Sequence, residues 1–225
     1  MQGGVQVRRS LFCLGIILGW LVAVPAHADV LGALTACQAE RQRIADLSDT
    51  LKRNGWSGVP LPLDQDRTTR LIMASLLNIP AAGALTPASD PTDWQLVWRD
   101  ARAWVDSQIM PFVQGVPQYA TLLEDAKGNL LYIQAGETDS TITMTCTLAI
   151  TAAAVADPAF VPTLTTNSGE GSILTTSGRV DNRFSRATRI LIELAIRPQD
   201  FVPFLGLQSD VVAVLYTNTT YPKEP

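Results

Sequence analysis

Residues 141–151 read TITMTCTLAIT, an alternation that fits an extended strand and no helix. Successive side chains of a strand leave on opposite faces, so a strict period of two sorts them cleanly. Ile142, Met144, Cys146, Leu148 and Ile150 fall on one face; Thr141, Thr143, Thr145, Thr147 and Thr151 fall on the other. The apolar face needs a layer packed against it, and a cysteine sits in its middle. The threonine face is expected to look at solvent, because threonine is a strong strand former on half-buried strands. A second layer over that face is the alternative reading.

The start of the chain decides which thiols are available. Arg8 and Arg9 precede an unbroken apolar run, residues 11–24, closed by Pro25 and by Ala26-His27-Ala28, a small-x-small cleavage pattern. The run is shorter than the roughly 20 residues of an ordinary span. A secretory leader over residues 1–28, cleaved after Ala28, is therefore expected, with an uncleaved anchor as the alternative. The mature chain would be a single domain over 29–225 (225 − 28 = 197 residues), delivered to the periplasm or secreted. The leader takes Cys13 and the sole histidine, His27, leaving Cys37 and Cys146.

Residues 30–53 are predicted to form one amphipathic helix, with Val30, Ala33, Leu34, Cys37, Ile44, Leu47 and Leu51 on its apolar side. Both remaining cysteines thus point inward, one from a helix and one from a strand. In an oxidising compartment they are expected to pair, stapling helix to sheet. Asn54-Gly55 is expected to end the helix with a left-handed cap, Trp56 folding back onto its last turn. A second helix is predicted over about 65–78. A third starts with Asp90 as N-cap and Pro91 in the first position, and Pro111 is expected to end it. From about residue 118 the period changes to two. YATLLE and NLLYIQA flank DAKG as a hairpin, 141–151 completes a meander, and strands follow at about 172–180, 187–196 and 211–217, with a frayed tail from about 219. Helices first and strands after predict an α+β fold, its N-terminal helices together on one face of a five- or six-stranded, mainly antiparallel sheet.

Function is constrained mostly by exclusion. Without His27, Ser-His-Asp, Cys-His and imidazole-metal chemistry are closed to the mature chain. No cofactor and no metal site are expected. Asp64-Gln65-Asp66 reads as helix-start charge rather than a calcium loop. The whole chain carries 17 basic and 21 acidic side chains, a net −4, and loss of Arg8 and Arg9 makes it −6. A nucleic-acid partner is not expected from such a charge. Two clusters stand out. Arg179, Arg183, Arg186 and Arg189 surround a predicted hairpin corner, suited to a small acidic ligand or a protein partner. Trp94, Trp98 and Trp104 recur at helical spacing, as a core stripe or an aromatic groove. The expectation is an exported envelope protein acting as a non-catalytic binding or accessory module, touching membrane only through its leader. A carboxylate-dependent hydrolase is the alternative.

Overall fold

The computed structural model describes residues 30–40, 43–116, 118–155, 173–201, 203 and 209–223, so the predicted leader lies outside the described residues. The fold is α+β. Helices α1 (Val30–Cys37), α2 (Ile44–Arg53), α3 (Gln65–Ser75), α4 (Pro91–Trp104) and α5 (Met110–Gly115) precede most of the strands. The strands are β1 (Ser57–Gly58), β2 (Ala120–Glu124), β3 (Leu130–Glu137), β4 (Thr141–Thr151), β5 (Ile173–Asn182), β6 (Ala187–Ile196) and β7 (Val211–Pro222). They form one antiparallel sheet in the order β1-β2-β3-β4-β7-β6-β5. The seventh strand, beyond the six expected, is the two-residue β1, which pairs with the end of β2.

The expected disulfide is present: Cys37 is bonded to Cys146, with their Cα atoms 6.1 Å apart. Cys37 is the last residue of α1 rather than mid-helix, because the predicted single helix over 30–53 is two helices. Continuing α1 would bring Glu40 and Arg41, three and four residues on, into phase with Cys37 and drive charge onto the sheet. The apolar stripe resumes only at Ile44. Leu51 then accepts the backbone N–H of Trp56 (3.1 Å), Gly55 takes φ 90°, and Trp56 folds back buried, as its position after Asn54-Gly55 requires.

The helices do not share one face, which corrects the expected arrangement. Helices α1 and α2 cover the face of Leu123, Ile133, Met144, Cys146 and Leu148. Helices α3 and α4 cover the other, over Leu122, Tyr132, Ala149, Leu194 and Val214. The threonine row of β4 therefore lies beneath a second layer. Thr147 and Thr151 are buried, and Thr141, Thr143 and Thr145 are half-buried. Strand β7 also outruns its predicted end: it continues to Pro222, with Thr219 and Tyr221 buried, because β4 and β6 flank it on both sides.

Pro111 does not stop the third helix. Residues Val105–Ile109 widen into a π-turn and the chain continues as α5, with Pro111 in its first turn. A proline has no N–H to give and its ring clashes with the carbonyl one turn back. The wide turn absorbs both demands without ending the helix.

Candidate functional site

Three described hollows differ in chemistry. The first lies between the α3–α4 layer and the threonine face of the sheet, with a volume of about 170 Å3. Its sheet wall combines Tyr132 and Gln134 of β3, Thr145 and Thr147 of β4, and Tyr216 of β7. Register makes this wall: Thr147 is opposite both Tyr132 and Tyr216, and Thr145 is opposite both Gln134 and Asn218. The helical wall adds Ser75 from the end of α3, Asn78 from the 3-10 turn that follows it, Trp104 from the end of α4, and Gln108 and Ile109 from the π-turn. Insertions of this kind recur at functional sites because they re-aim side chains that a regular helix would place elsewhere.

None of the described residues lining this hollow is charged, and its polar groups are only partly satisfied. Asn218 donates to Thr145 Oγ1 (3.1 Å) and to the Tyr216 hydroxyl (3.4 Å). Thr220 donates to Asn218 Oδ1 (3.2 Å). Ser75 donates back to the Leu71 carbonyl (2.8 Å). The Tyr132 hydroxyl, by contrast, is buried without a hydrogen-bond partner among the described residues. Burial drives its pKa well above the ordinary tyrosine value, so the group stays protonated and remains a donor. An unpaired buried hydroxyl costs about 1–3 kcal/mol, and a bound acceptor would relieve that cost. Trp104 stands at the edge, 38% exposed, with a ring face available for stacking.

The second hollow, about 280 Å3, is lined by Asp66, Thr69, Arg70, Ser209 and Asp210. Its arginine is already engaged. Arg70 donates to both Asp210 oxygens (2.9 and 2.8 Å) and to Glu124 (3.2 Å), while Arg67 donates to Glu124 (3.0 and 2.7 Å) and to Asp64. These bonds tie α3 to β2 and to the residue before β7. Sequence reading missed them because the partners are up to 140 residues apart. Asp64 also caps α3, accepting the Arg67 N–H (2.8 Å), which holds its carboxyl below the usual range. The third hollow, about 430 Å3, is more apolar and opens on the opposite face beside Ile44, Tyr119 and Ile142. Its charged rim is engaged: Arg43 pairs with Asp46, and Glu137 with Lys223.

The structure divides each cluster singled out in the sequence. Trp94 is buried edge-on against Phe201, ring centroids 4.6 Å apart, and Trp98 packs partly buried on the same core. Of the three only Trp104 reaches the first hollow, so they share none of the three described hollows. Of the arginines, Arg179 pairs with Asp181 (3.1 Å), and Arg183 and Arg186 lie exposed in the β5–β6 turn. Arg189 turns to the other face, where its guanidinium donates to the Gln38 carbonyl (2.6 Å) beyond α1. Alternation explains that split: Arg189 and Val180 are cross-strand partners on one face, Arg179 and Ile190 on the other. Among the described residues no group of three or more histidine, cysteine, aspartate and glutamate side chains is placed to hold a metal. No helix among them is long and apolar enough to cross a membrane. No protein-family model, curated protein or solved structure matches the chain.

Proposed function

We propose that the chain is an exported, non-catalytic binding module that holds a small uncharged, oxygen-rich molecule between the π-turn and the threonine face of the sheet. The observation that carries this reading is the Tyr132 hydroxyl: a buried, protonated donor with no described partner, in the wall of a hollow whose described lining bears no charge. Asn78, Gln108, Gln134 and Thr147 line the same hollow with amide and hydroxyl groups, and Trp104 adds an aromatic ring at its edge. Sugars present this pairing of apolar C–H faces and hydroxyl edges. The volume, below the roughly 300 Å3 at which drug-sized sites begin, suits a single ring.

Export is the setting that the cysteines support. A Cys37–Cys146 bond persists where the surroundings are oxidising, and the basic-then-apolar opening ending in Ala26-His27-Ala28 supplies a route there. The periplasm or the exterior is the proposed location. The carboxylate-hydrolase alternative needs one carboxyl kept protonated. None of the described residues lining the hollow carries a carboxyl, which favours binding there over acid catalysis.

Saturation-transfer NMR against neutral hexoses and N-acetylhexosamines tests the reading. Wild type is expected to take up at least one of them. Trp104→Ala should abolish the signal, and Tyr132→Phe should weaken it while leaving the melting temperature unchanged or slightly raised, since an unpaired buried hydroxyl is removed. Absence of binding across the panel, or binding indifferent to both substitutions, refutes the site.

A further inference from the structure

The β5–β6 hairpin ends in an apex that the core does not use. Arg183, Phe184, Ser185 and Arg186 make the turn, which Arg186 closes at φ 54°. Turn apices favour small polar residues, yet Phe184 stands 102% exposed and Val180 is 62% exposed. The neighbouring charges are sorted by the fold. Asp181 takes Arg179 and the Thr188 hydroxyl (2.9 Å), Glu40 accepts from Asn182 Nδ2 (3.2 Å), and Arg189 faces α1. Arg183 and Arg186 are exposed and have no acidic partner among the described residues.

We propose that this apex docks on a bilayer carrying anionic lipids, Phe184 entering the headgroup layer while Arg183 and Arg186 pair with lipid phosphates. An aromatic ring flanked by unengaged guanidinium groups matches interfacial chemistry on both counts: aromatic side chains settle at headgroup depth, and arginine forks fit phosphate oxygens. A protein partner is a poorer fit. One projecting phenylalanine buries on the order of 200 Å2, far below the roughly 800 Å2 that each partner contributes to a standard interface. The net charge, −4 for the whole chain and −6 without Arg8 and Arg9, sets the approach, because an acidic body is repelled by an anionic surface and only the basic apex can touch it. Docking is therefore weak, reversible and apex-first. This contact is additional to any made by the leader, and it rests on the hairpin alone, independent of the hollow beside Tyr132.

Co-sedimentation of the purified, oxidised protein with two kinds of vesicle tests it: phosphatidylcholine alone, and phosphatidylcholine with a minor fraction of phosphatidylglycerol. Wild type is expected to partition onto the anionic vesicles, less so in high salt, and only weakly onto the neutral ones. Arg183→Ser and Arg186→Ser should each lower the partition coefficient about fivefold, and Phe184→Ser about tenfold or more. All three variants should melt with wild type, since the three side chains are exposed. Failure of the wild type to bind anionic vesicles overturns the proposal. So does binding that survives Phe184→Ser together with the two arginine substitutions.

Discussion

Removing the Cys37–Cys146 bond should destabilise the whole domain, well beyond α1. The bond joins residues 109 apart, and in the chain-entropy treatment a closed loop of that size is worth about 5 kcal/mol. At about 2–4 °C per kcal/mol for a domain of this length, melting should fall by about 10–20 °C. Two local features act on the same region. Helix α1 has only eight residues, too few to persist without tertiary contacts, and it anchors through Val30, Ala33 and Cys37. The face that it helps to cover holds Thr217 and Thr219, both buried with hydroxyls unpaired among the described residues. Those hydroxyls would gain hydration if α1 left, so the tether holds the helix against a local cost. Calorimetry of oxidised wild type, reduced wild type and a Cys37→Ala, Cys146→Ala variant separates sulfur packing from the covalent link, because the reduced protein keeps both sulfurs. Hydrogen exchange then locates the loss. If oxidised and reduced proteins melt within about 2 °C of each other and exchange rises only over residues 30–40, the link merely pins a loose helix, and the argument from unfolded-chain entropy is refuted.

Two further outcomes follow from local geometry. Gly128 closes the β2–β3 turn at φ 79°, and a Cβ there would meet Arg70 Nη1 at 2.9 Å. The guanidinium is held by Glu124 and Asp210 and has little freedom to yield, so Gly128→Ala should destabilise by about 1–3 kcal/mol in urea unfolding; an unchanged midpoint would show that the turn relaxes freely. The N-caps set the acid limb. Asp64 and Asp90 lie below the ordinary value of 3.8, chiefly because each accepts a backbone N–H, so their contribution to stability is present above that value and is lost as pH falls through the lower folded one. Asparagine caps equally well but does not titrate, so Asp64→Asn with Asp90→Asn should flatten the decline of melting temperature in acid, and an unaltered decline would assign it to other carboxylates.

Much of this architecture is legible locally. The DAKG turn is so because its own residues complete it: Asp125 Oδ1 accepts the N–H groups of Lys127 and Asn129 (2.9 Å each) and Gly128 supplies the positive φ. Asp90 and Pro91 announce α4 for the same reason, the cap accepting the Thr92 N–H at 2.7 Å. Failures cluster where distant segments compete. Threonine is ambiguous by nature, since its methyl packs against a layer while its hydroxyl finds a partner within the sheet. Thr143, for instance, exchanges a hydrogen bond with Thr220 (3.1 Å), a residue 77 positions on. A threonine row therefore reads the same whether it faces water or a second helical layer, and only the crossing of α3 and α4 to the other side of the sheet decides.

The candidate site belongs to that second class. Tyr132, Thr147 and Tyr216 are remote in sequence and become neighbours only through the β3-β4-β7 register. In the sequence Tyr132 is one more large side chain in a strand. Nothing local marks its hydroxyl as unpaired, because satisfaction is a property of the surroundings rather than of the residue. The π-turn is hidden differently. Proline at 111 carries a strong local signal, and read alone it says stop. The helix continues because Val105, Ile109 and Met110 before the proline and Val113 after it all pack on the same core, so ending the helix would forfeit contacts on both sides. Widening one turn keeps the core and places Gln108 in the same wall as Trp104, the last residue of α4. The compromise between a local rule and a buried face thus builds the helical wall of the hollow. A variant such as Pro111→Ala, which removes the need for the wide turn, should restore a regular helix and disturb Trp104 and Gln108 before it disturbs the fold.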